Sequence, residues 1–184
     1  MWTEQEETIL KGLEETQHDF WNIARSTANF LNMLIKATKL KSGVEVGTSN
    51  GYSGLWLSKA LKENGGHLTT IEYYEKRIIL AEKNFKDFGL DDIITIKQGS
   101  ACDVLKTLDG EYDFAFIDAN KREYIEYFKI LDKKLKKGAI IAADNITSHA
   151  EKVKEFVDAI KADENYQVEI LDLPAGLLLA YKLN

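Results

Sequence analysis

The sequence has one cysteine and no excess of positive charge. A single thiol, Cys102, leaves no partner for an internal disulfide and excludes a metal site built from several cysteines, which suits a reducing compartment. Lys and Arg number 24 against 30 Asp and Glu, giving a net charge of −6. Binding to a nucleic-acid backbone leans on clustered cations that release counterions, so no nucleic acid is expected as a partner and a small molecule is. No apolar run approaches the ~20 residues that cross a bilayer. The N-terminus is acidic and lacks the charge pattern of a signal peptide; no membrane partner is expected, and the expected location is cytoplasmic. Repeats, low-complexity tracts and breaks in composition are also missing. What remains is 184 residues, 45% hydrophobic and 29% charged, the composition of one globular domain, 1–184, with a sizeable core.

The densest signal lies at residues 43–54, Gly-Val-Glu-Val-Gly-Thr-Ser-Asn-Gly-Tyr-Ser-Gly. Residues 44–46 alternate apolar, acidic, apolar as a short strand does, and 52–61 carry apolar residues at helical spacing. Strand, tight turn and helix in that order bring the main chain close to a ligand and offer the unpaired N–H groups of a helix start to a carboxylate or phosphate. The ligand is expected across Gly47 to Ser53. A dinucleotide fingerprint requires glycine where Ser49 stands, which argues against a nicotinamide-dependent oxidoreductase. Glu45 precedes Gly47 by two residues inside the strand. Glu72 ends the next strand, 67–71, where an acid accepts hydrogen bonds from both hydroxyls of a ribose. The plainer alternative is a solvated loop with incidental glycines and acids.

The rest alternates strand and helix. Residues 1–17 form an acidic helix with Ile9, Leu10 and Leu13 as its stripe. Residues 26–39 form another, with Ser26 or Thr27 as cap; Trp21 and Ile23, just before it, suit core or interface packing. A helix over 74–88 ends at Gly89, a strand covers 93–96, and Gln98-Gly99-Ser100-Ala101 opens a short helix through Leu108. Tyr112–Ile117 is a strongly apolar strand ending in Asp118. A helix over 121–135 turns at Gly138 into a strand over 139–143, ended by Asp144 and Asn145. A helix over 149–162 precedes Tyr166–Leu171 and Leu177–Lys182, two strands joined closely enough to be antiparallel. Ligands in open α/β sheets lie outside the carboxyl ends of the strands, and Gly47, Glu72, Gly99, Asp118 and Asp144 all follow such ends.

Asp118, Asp144 and Asn145 bring three oxygen-bearing side chains to neighbouring strand tips. Oxygen ligands suit Mg²⁺, whereas zinc prefers histidine or cysteine. Asp and Asn also end strands through Asx-turns. Tyr124 and Tyr127, three residues apart, suit a helix face packed on the sheet.

Residues 116–127 read Phe-Ile-Asp-Ala-Asn-Lys-Arg-Glu-Tyr-Ile-Glu-Tyr. The form Phe-Ile-Asp-Ala-x-Lys-x-x-Tyr-x-x-Tyr resembles the signature of cation-dependent class I O-methyltransferases, the family that includes catechol and caffeoyl-CoA O-methyltransferases and bacterial relatives. The glycine turn after Glu45, the Thr70-Ile71-Glu72 strand end and the Asp144-Asn145 pair match in the same order, so the resemblance runs from about residue 21 to 181. It implies a Rossmann-like α/β fold with a seven-stranded, mostly parallel sheet, helices on both faces and a terminal antiparallel hairpin, residues 1–40 covering the cofactor and acceptor side. By the same resemblance Glu45, Gly47, Tyr52 and Ser53 hold the methionine end of S-adenosylmethionine, Glu72 the ribose, and Ser100 and Ala101 the adenine, with Ile23 above the cofactor and Asp118 between cofactor and metal. Asp118, Asp144 and Asn145 are the implied ligands of a divalent cation, Mg²⁺. Lys121 is the implied general base, because positive charges beside a lysine favour its neutral amine. The implied reaction transfers a methyl group to a hydroxyl of a small catechol-like or vicinal-oxygen acceptor, with no covalent enzyme intermediate. Cys102 is then a buried small apolar residue, and His149 a helix-start residue near the metal or acceptor. The short N-terminal segment leaves two arrangements open, an exposed acceptor pocket or one completed by a partner subunit in a homodimer. A module that only binds S-adenosylmethionine would account for Glu45 and Glu72 but leave Lys121 and the metal set without a role.

Overall fold

Alternation with period 2 becomes strands and period 3.6 becomes the helices between them. The computed structural model describes residues 2–184; Met1, the first residue of the expected N-terminal helix, lies outside them. Strands β1 (Ser42–Val46), β2 (His67–Glu72), β3 (Ile94–Gln98), β4 (Tyr112–Ile117), β5 (Leu135–Ala143), β6 (Tyr166–Leu171) and β7 (Leu177–Lys182) form one sheet in the order β3-β2-β1-β4-β5-β7-β6. The first five are parallel, and β7 runs antiparallel to both β5 and β6. The expected terminal hairpin is present, but its second strand joins the sheet. Leu177 and Leu178 are fully buried there, while β6, with exposed Gln167 and Glu169, takes the edge, where charged and polar side chains discourage further pairing.

Helices cover both faces. α1 (Glu4–Glu15), α2 (Gln17–Phe20), α3 (Arg25–Thr38), α4 (Tyr52–Glu63) and α5 (Glu75–Asp87) precede β3; α6 (Ala101–Thr107), α7 (Tyr124–Asp132) and α8 (Ala150–Ala162) follow it. β4 shows how the sheet divides the core. Phe114 and Phe116 join Leu31, Ile35, Leu55 and Phe85 on one face, and Ala115 and Ile117 join Tyr124, Leu131 and Phe156 on the other. Each large apolar side chain so buried contributes roughly 1.5–3 kcal/mol. Among the described residues no helix is long and apolar enough to cross a membrane.

Five local expectations need correction. The single N-terminal helix breaks at Thr16 into α1 and α2; α1 begins in a capping box in which Thr3 and Glu6 satisfy each other's backbone N–H, the Thr-x-x-Glu pattern of such starts. α3 begins at Arg25 with Ala24 as its cap, so neither Ser26 nor Thr27 caps it. The Arg25 guanidinium reaches Glu7 at 2.6 Å and Glu14 at 3.2 Å, which ties the first turn of α3 to α1. The helix expected over 121–135 is a 3-10 turn, Lys121–Glu123, followed by α7. β5 starts four residues early, at Leu135, and Gly138 sits inside it at φ +83°, where the register with β4 shifts; the glycine serves a bulge rather than a turn. Trp21 packs in no core. It stands 74% exposed at φ 55°, ending α2.

Candidate functional site

β1 and β4 are neighbours although two strands, β2 and β3, lie between them along the chain, and the strand order reverses there. A cleft of about 860 Å³ opens at their carboxyl ends, the place where open parallel sheets bind ligands. The loop after β1 forms its floor. Gly47 has φ +108°, and a Cβ there would stand 2.2 Å from the Asp118 carbonyl oxygen, so only glycine lets the two strand ends meet. The N–H groups of Gly47 and Thr48 both donate to the Ile71 carbonyl at 3.1 Å, which fixes the loop against β2.

Glu72 lines the cleft beside this loop. One carboxylate oxygen accepts from the Ser49 N–H at 2.8 Å, and the other from the Tyr73 and Tyr74 N–H groups at 2.9 Å each. Three main-chain donors therefore fix its carboxyl group at the edge of the cleft. Ser100, Ala101 and Ile23 line the same space. The segment carrying Ile23 lies over the loop because Ser49 Oγ donates to the Phe20 carbonyl at 2.8 Å.

Two expected cofactor contacts are placed elsewhere. Tyr52 turns away from the cleft: its ring is buried and its hydroxyl donates to Glu14 Oε1 at 2.7 Å. It opens α4, and α1 supplies the partner that the local sequence does not reveal. Glu45 lies beneath the cleft rather than in it, fully buried, accepting from Ser53 Oγ at 2.5 Å and Thr70 Oγ1 at 2.6 Å. Ser53 lines the cleft, so Glu45 meets the cleft only through the Ser53 hydroxyl, which donates to it.

Burial pushes the Glu45 carboxyl up to about 7, against the two hydroxyls that favour its charge. The folded protein therefore retains a proton that an unfolded glutamate near 4.5 has lost. Stability from this group is complete below about pH 4.5 and is lost as pH rises through about 7. Between about pH 5.5 and 7 this amounts to about 2 kcal/mol, one proton over roughly 1.5 pH units. Glu45→Gln removes the titration. In ligand-free protein its melting temperature is expected to gain roughly 5 °C on that of the parent across this range; a constant gap in thermal melts would show that Glu45 does not titrate there.

The opposite end of the cleft holds Asp118, Lys121, Asp144, Asn145 and His149. The Lys121 ammonium donates to Asp118 Oδ1 at 2.8 Å, both side chains being mostly buried. Asp144 is 3% exposed, and its Oδ1 has no hydrogen-bond partner. Burial and then the Asp118 charge push its carboxyl up to about 7; burial raises that of Asp118 too, with Lys121 opposing. Burial, followed by Lys121 and Lys152, disfavours the charged form of His149. Asn145 adopts φ 65° at the end of β5. Its Nδ2 donates to Ser148 Oγ at 3.2 Å, and Ser148 Oγ meets His149 Nδ1 at 3.0 Å. Sequence reading passed over Ser148, whose only signal was a hydroxyl three residues past Asn145. Tyr124 and Tyr127 pack against the sheet as expected, Tyr124 donating to the Asp144 carbonyl at 3.2 Å and Tyr127 to Glu123 at 2.7 Å. Cys102 is half-buried with its sulfur 3.9 Å from Glu123 Oε2. Among the described residues no three His, Cys, Asp or Glu side chains gather as a metal site; the expected set contains two carboxylates and an amide.

A seven-stranded sheet in this order, with a glycine turn after β1 and an acid ending β2, is the Rossmann-like class I methyltransferase fold. The profile of the O-methyltransferase family matches residues 2–183. The chain is 36% identical to the catechol O-methyltransferase of Niastella koreensis over 68% of this chain and 58% of that protein. It is 30% identical to caffeoyl-CoA O-methyltransferase 2 of Populus trichocarpa over 97% of this chain and 83% of that protein. An O-methyltransferase from Bacillus cereus, crystallised in complex with SAH, superposes with a TM-score of 0.88 at 21% identity, covering 99% of this chain and 92% of that one. The chain belongs to the O-methyltransferase family, the S-adenosylmethionine-dependent class I enzymes related to catechol and caffeoyl-CoA O-methyltransferases.

Proposed function

We propose that this chain moves the methyl group of S-adenosylmethionine to a hydroxyl of a small acceptor bearing adjacent oxygens, catechol-like in arrangement, with a divalent cation, Mg²⁺, held by Asp118, Asp144 and Asn145. The observation that carries the cation is the buried, unpartnered Asp144 Oδ1 in the same cleft as the cofactor loop. A buried carboxylate oxygen without a partner is costly, and a second carboxylate that repels it raises the cost. Asn145 completes an all-oxygen set, because its amide nitrogen is committed to Ser148 and its oxygen is left free. Such donors suit a hard cation. When bound there, the cation supplies Lewis acidity and orientation to the acceptor oxygens.

The chain's own groups do the rest. Glu72 accepts from the ribose hydroxyls, Gly47 lets the main chain approach the methionine end, and Ser53, braced by Glu45, accepts from its ammonium. Ser100 and Ala101 border the adenine, and Ile23 keeps water off it. SAH in the Bacillus cereus relative supports this cofactor. Asp118 fixes Lys121 Nζ at the floor of the cleft. Lys121 can take the acceptor's proton only after its ammonium has released one. Transfer from sulfur to oxygen in line needs no enzyme nucleophile, so Cys102 has no part.

The test is a methyl-transfer assay on a catechol panel with and without Mg²⁺ and chelator, paired with thermal shifts on adding S-adenosylmethionine, SAH or NAD. Turnover that requires Mg²⁺, with stabilisation by the first two ligands alone, supports the reading; equal stabilisation by NAD overturns it. Ser148→Ala is expected to weaken cation affinity roughly 10-fold by freeing the Asn145 amide to rotate, with S-adenosylmethionine affinity unchanged. Titration with Mn²⁺ followed by its paramagnetic signal measures this; unchanged affinity would show that Ser148 positions nothing.

A further inference from the structure

At the acceptor end of the cleft two residues other than glycine adopt left-handed backbone, Asn145 at φ 65° and Ala175 at φ 70°. Asparagine visits that region readily; alanine rarely does. Ala175 is the third residue of the turn that joins β6 to β7, Leu173-Pro174-Ala175-Gly176, which the Gly176 N–H closes by donating to the Leu173 carbonyl at 2.8 Å. A positive φ at that place calls for glycine or asparagine. Backbone strained in this way persists only where the surroundings impose it, and here they are the segment that follows Asn145. The Ala175 carbonyl accepts from the N–H groups of Thr147 at 2.9 Å and Ser148 at 3.2 Å, and the Gly176 carbonyl accepts from that of Ile146 at 3.1 Å. Three consecutive main-chain donors thus end on two carbonyls of one turn. A Cβ on Gly176 would stand 2.6 Å from Thr147 Cγ2 and 2.8 Å from the Thr147 nitrogen, so the approach leaves no room for a side chain.

We propose that the β6–β7 turn is the positioning element of the cation end: Ala175 and Gly176, through their three main-chain hydrogen bonds, fix residues 146–148 and with them the direction in which Asn145 presents its side-chain oxygen beside Asp144. The proposal rests on the reading of Asp118, Asp144 and Asn145 as cation ligands and adds the residues that aim one of them. The β5–β7 ladder ends at Ala143, opposite Leu178, one residue before Asp144. Sheet pairing therefore cannot hold Asn145, and the turn takes over where it stops. Ser148 carries the contact inward. Its N–H is held by Ala175, and its hydroxyl accepts from Asn145 Nδ2 at 3.2 Å. A ligand on a segment free to move loses affinity, because binding must first order it. A hairpin that served only to complete the sheet would have no use for alanine in left-handed backbone.

The experiment measures Mn²⁺ affinity by its paramagnetic signal and SAH affinity by calorimetry for the parent, Gly176→Ala and Pro174→Gly. Gly176→Ala pushes Thr147 off the turn. Pro174→Gly frees the fixed φ of the turn without adding an atom, and tests the same point should the first variant fail to fold. Gly176→Ala is expected to weaken Mn²⁺ binding ~10-fold and Pro174→Gly several-fold, with SAH affinity unchanged in both. Adding Ser148→Ala to either should cost little more, because turn and hydroxyl act on the same amide. Unchanged Mn²⁺ affinity, equal losses for Mn²⁺ and SAH, or losses that simply add to that of Ser148→Ala would overturn the proposal while leaving the cation site standing. Absence of saturable Mn²⁺ binding in the parent would overturn the cation reading and the proposal together.

Discussion

Asp144→Ala is expected to reduce cation-dependent methyl transfer about 1,000-fold, a loss of about 4 kcal/mol of transition-state stabilisation, while S-adenosylmethionine still binds. The substitution removes one of two carboxylates and leaves the other, Asp118, tied to Lys121. The fold should tolerate it. Asp144 Oδ1 has no partner to lose, and burial and the Asp118 charge both work against its ionised form, so the ligand-free variant should melt at or above the parent's temperature. Turnover with Mg²⁺, with excess chelator, and a calorimetric titration of S-adenosylmethionine separate these effects. Unchanged turnover in the variant, or full activity of the parent in chelator, would remove the cation from the mechanism. Asp118→Ala separates less cleanly, because the Asp118 main chain lies against Gly47 and its N–H donates to the Val46 carbonyl at 3.0 Å. Lys121→Ala should lower the rate and leave both ligands bound.

The strand ends were the most legible part of the chain. A strand buried on both faces must stop in residues that meet solvent or ligand, and Gly47, Asp118 and Asp144 follow such buried runs in β1, β4 and β5. Helical crossovers make the first five strands parallel with one hand, but they do not place β4 beside β1 or β7 between β5 and β6. The direction in which a side chain turns at a helix start was not legible. Tyr52 follows Gly51 in the cofactor loop, yet its hydroxyl goes to Glu14, 38 residues away in sequence. That contact depends on how α1 lies across α4, which no local pattern encodes. Glu45 presents the same difficulty on a smaller scale. Alternation placed it in β1, but only the packing of Ser53 and Thr70 around it shows that it lies beneath the cleft. Gly138 reads as a turn from sequence because a bulge and a turn require the same backbone freedom.

Glu72→Ala is expected to weaken S-adenosylmethionine and SAH binding about 100-fold. Two ribose hydroxyls donating to a carboxylate contribute about 1.5 kcal/mol each, or roughly 3 kcal/mol together. The structure adds a second way for Glu72 to matter, since its oxygens already accept from Ser49, Tyr73 and Tyr74 N–H groups. Removing them leaves three main-chain donors without an acceptor and loosens the loop that Gly47 begins. The two contributions separate with a 2′,3′-dideoxy analogue of SAH, which keeps the adenine and the methionine end but offers no hydroxyls. If Glu72 reads the ribose, the substitution costs little affinity for that analogue and about 100-fold for SAH. If it only braces the loop, both ligands lose affinity alike, and the ribose contact must be assigned to another group lining the cleft. Cation affinity is the control. Glu72 lies at the cofactor end, so a Mn²⁺ titration of the variant should match that of the parent, and a large fall there would mean that the loop and the Asp118–Asp144 end move as one unit.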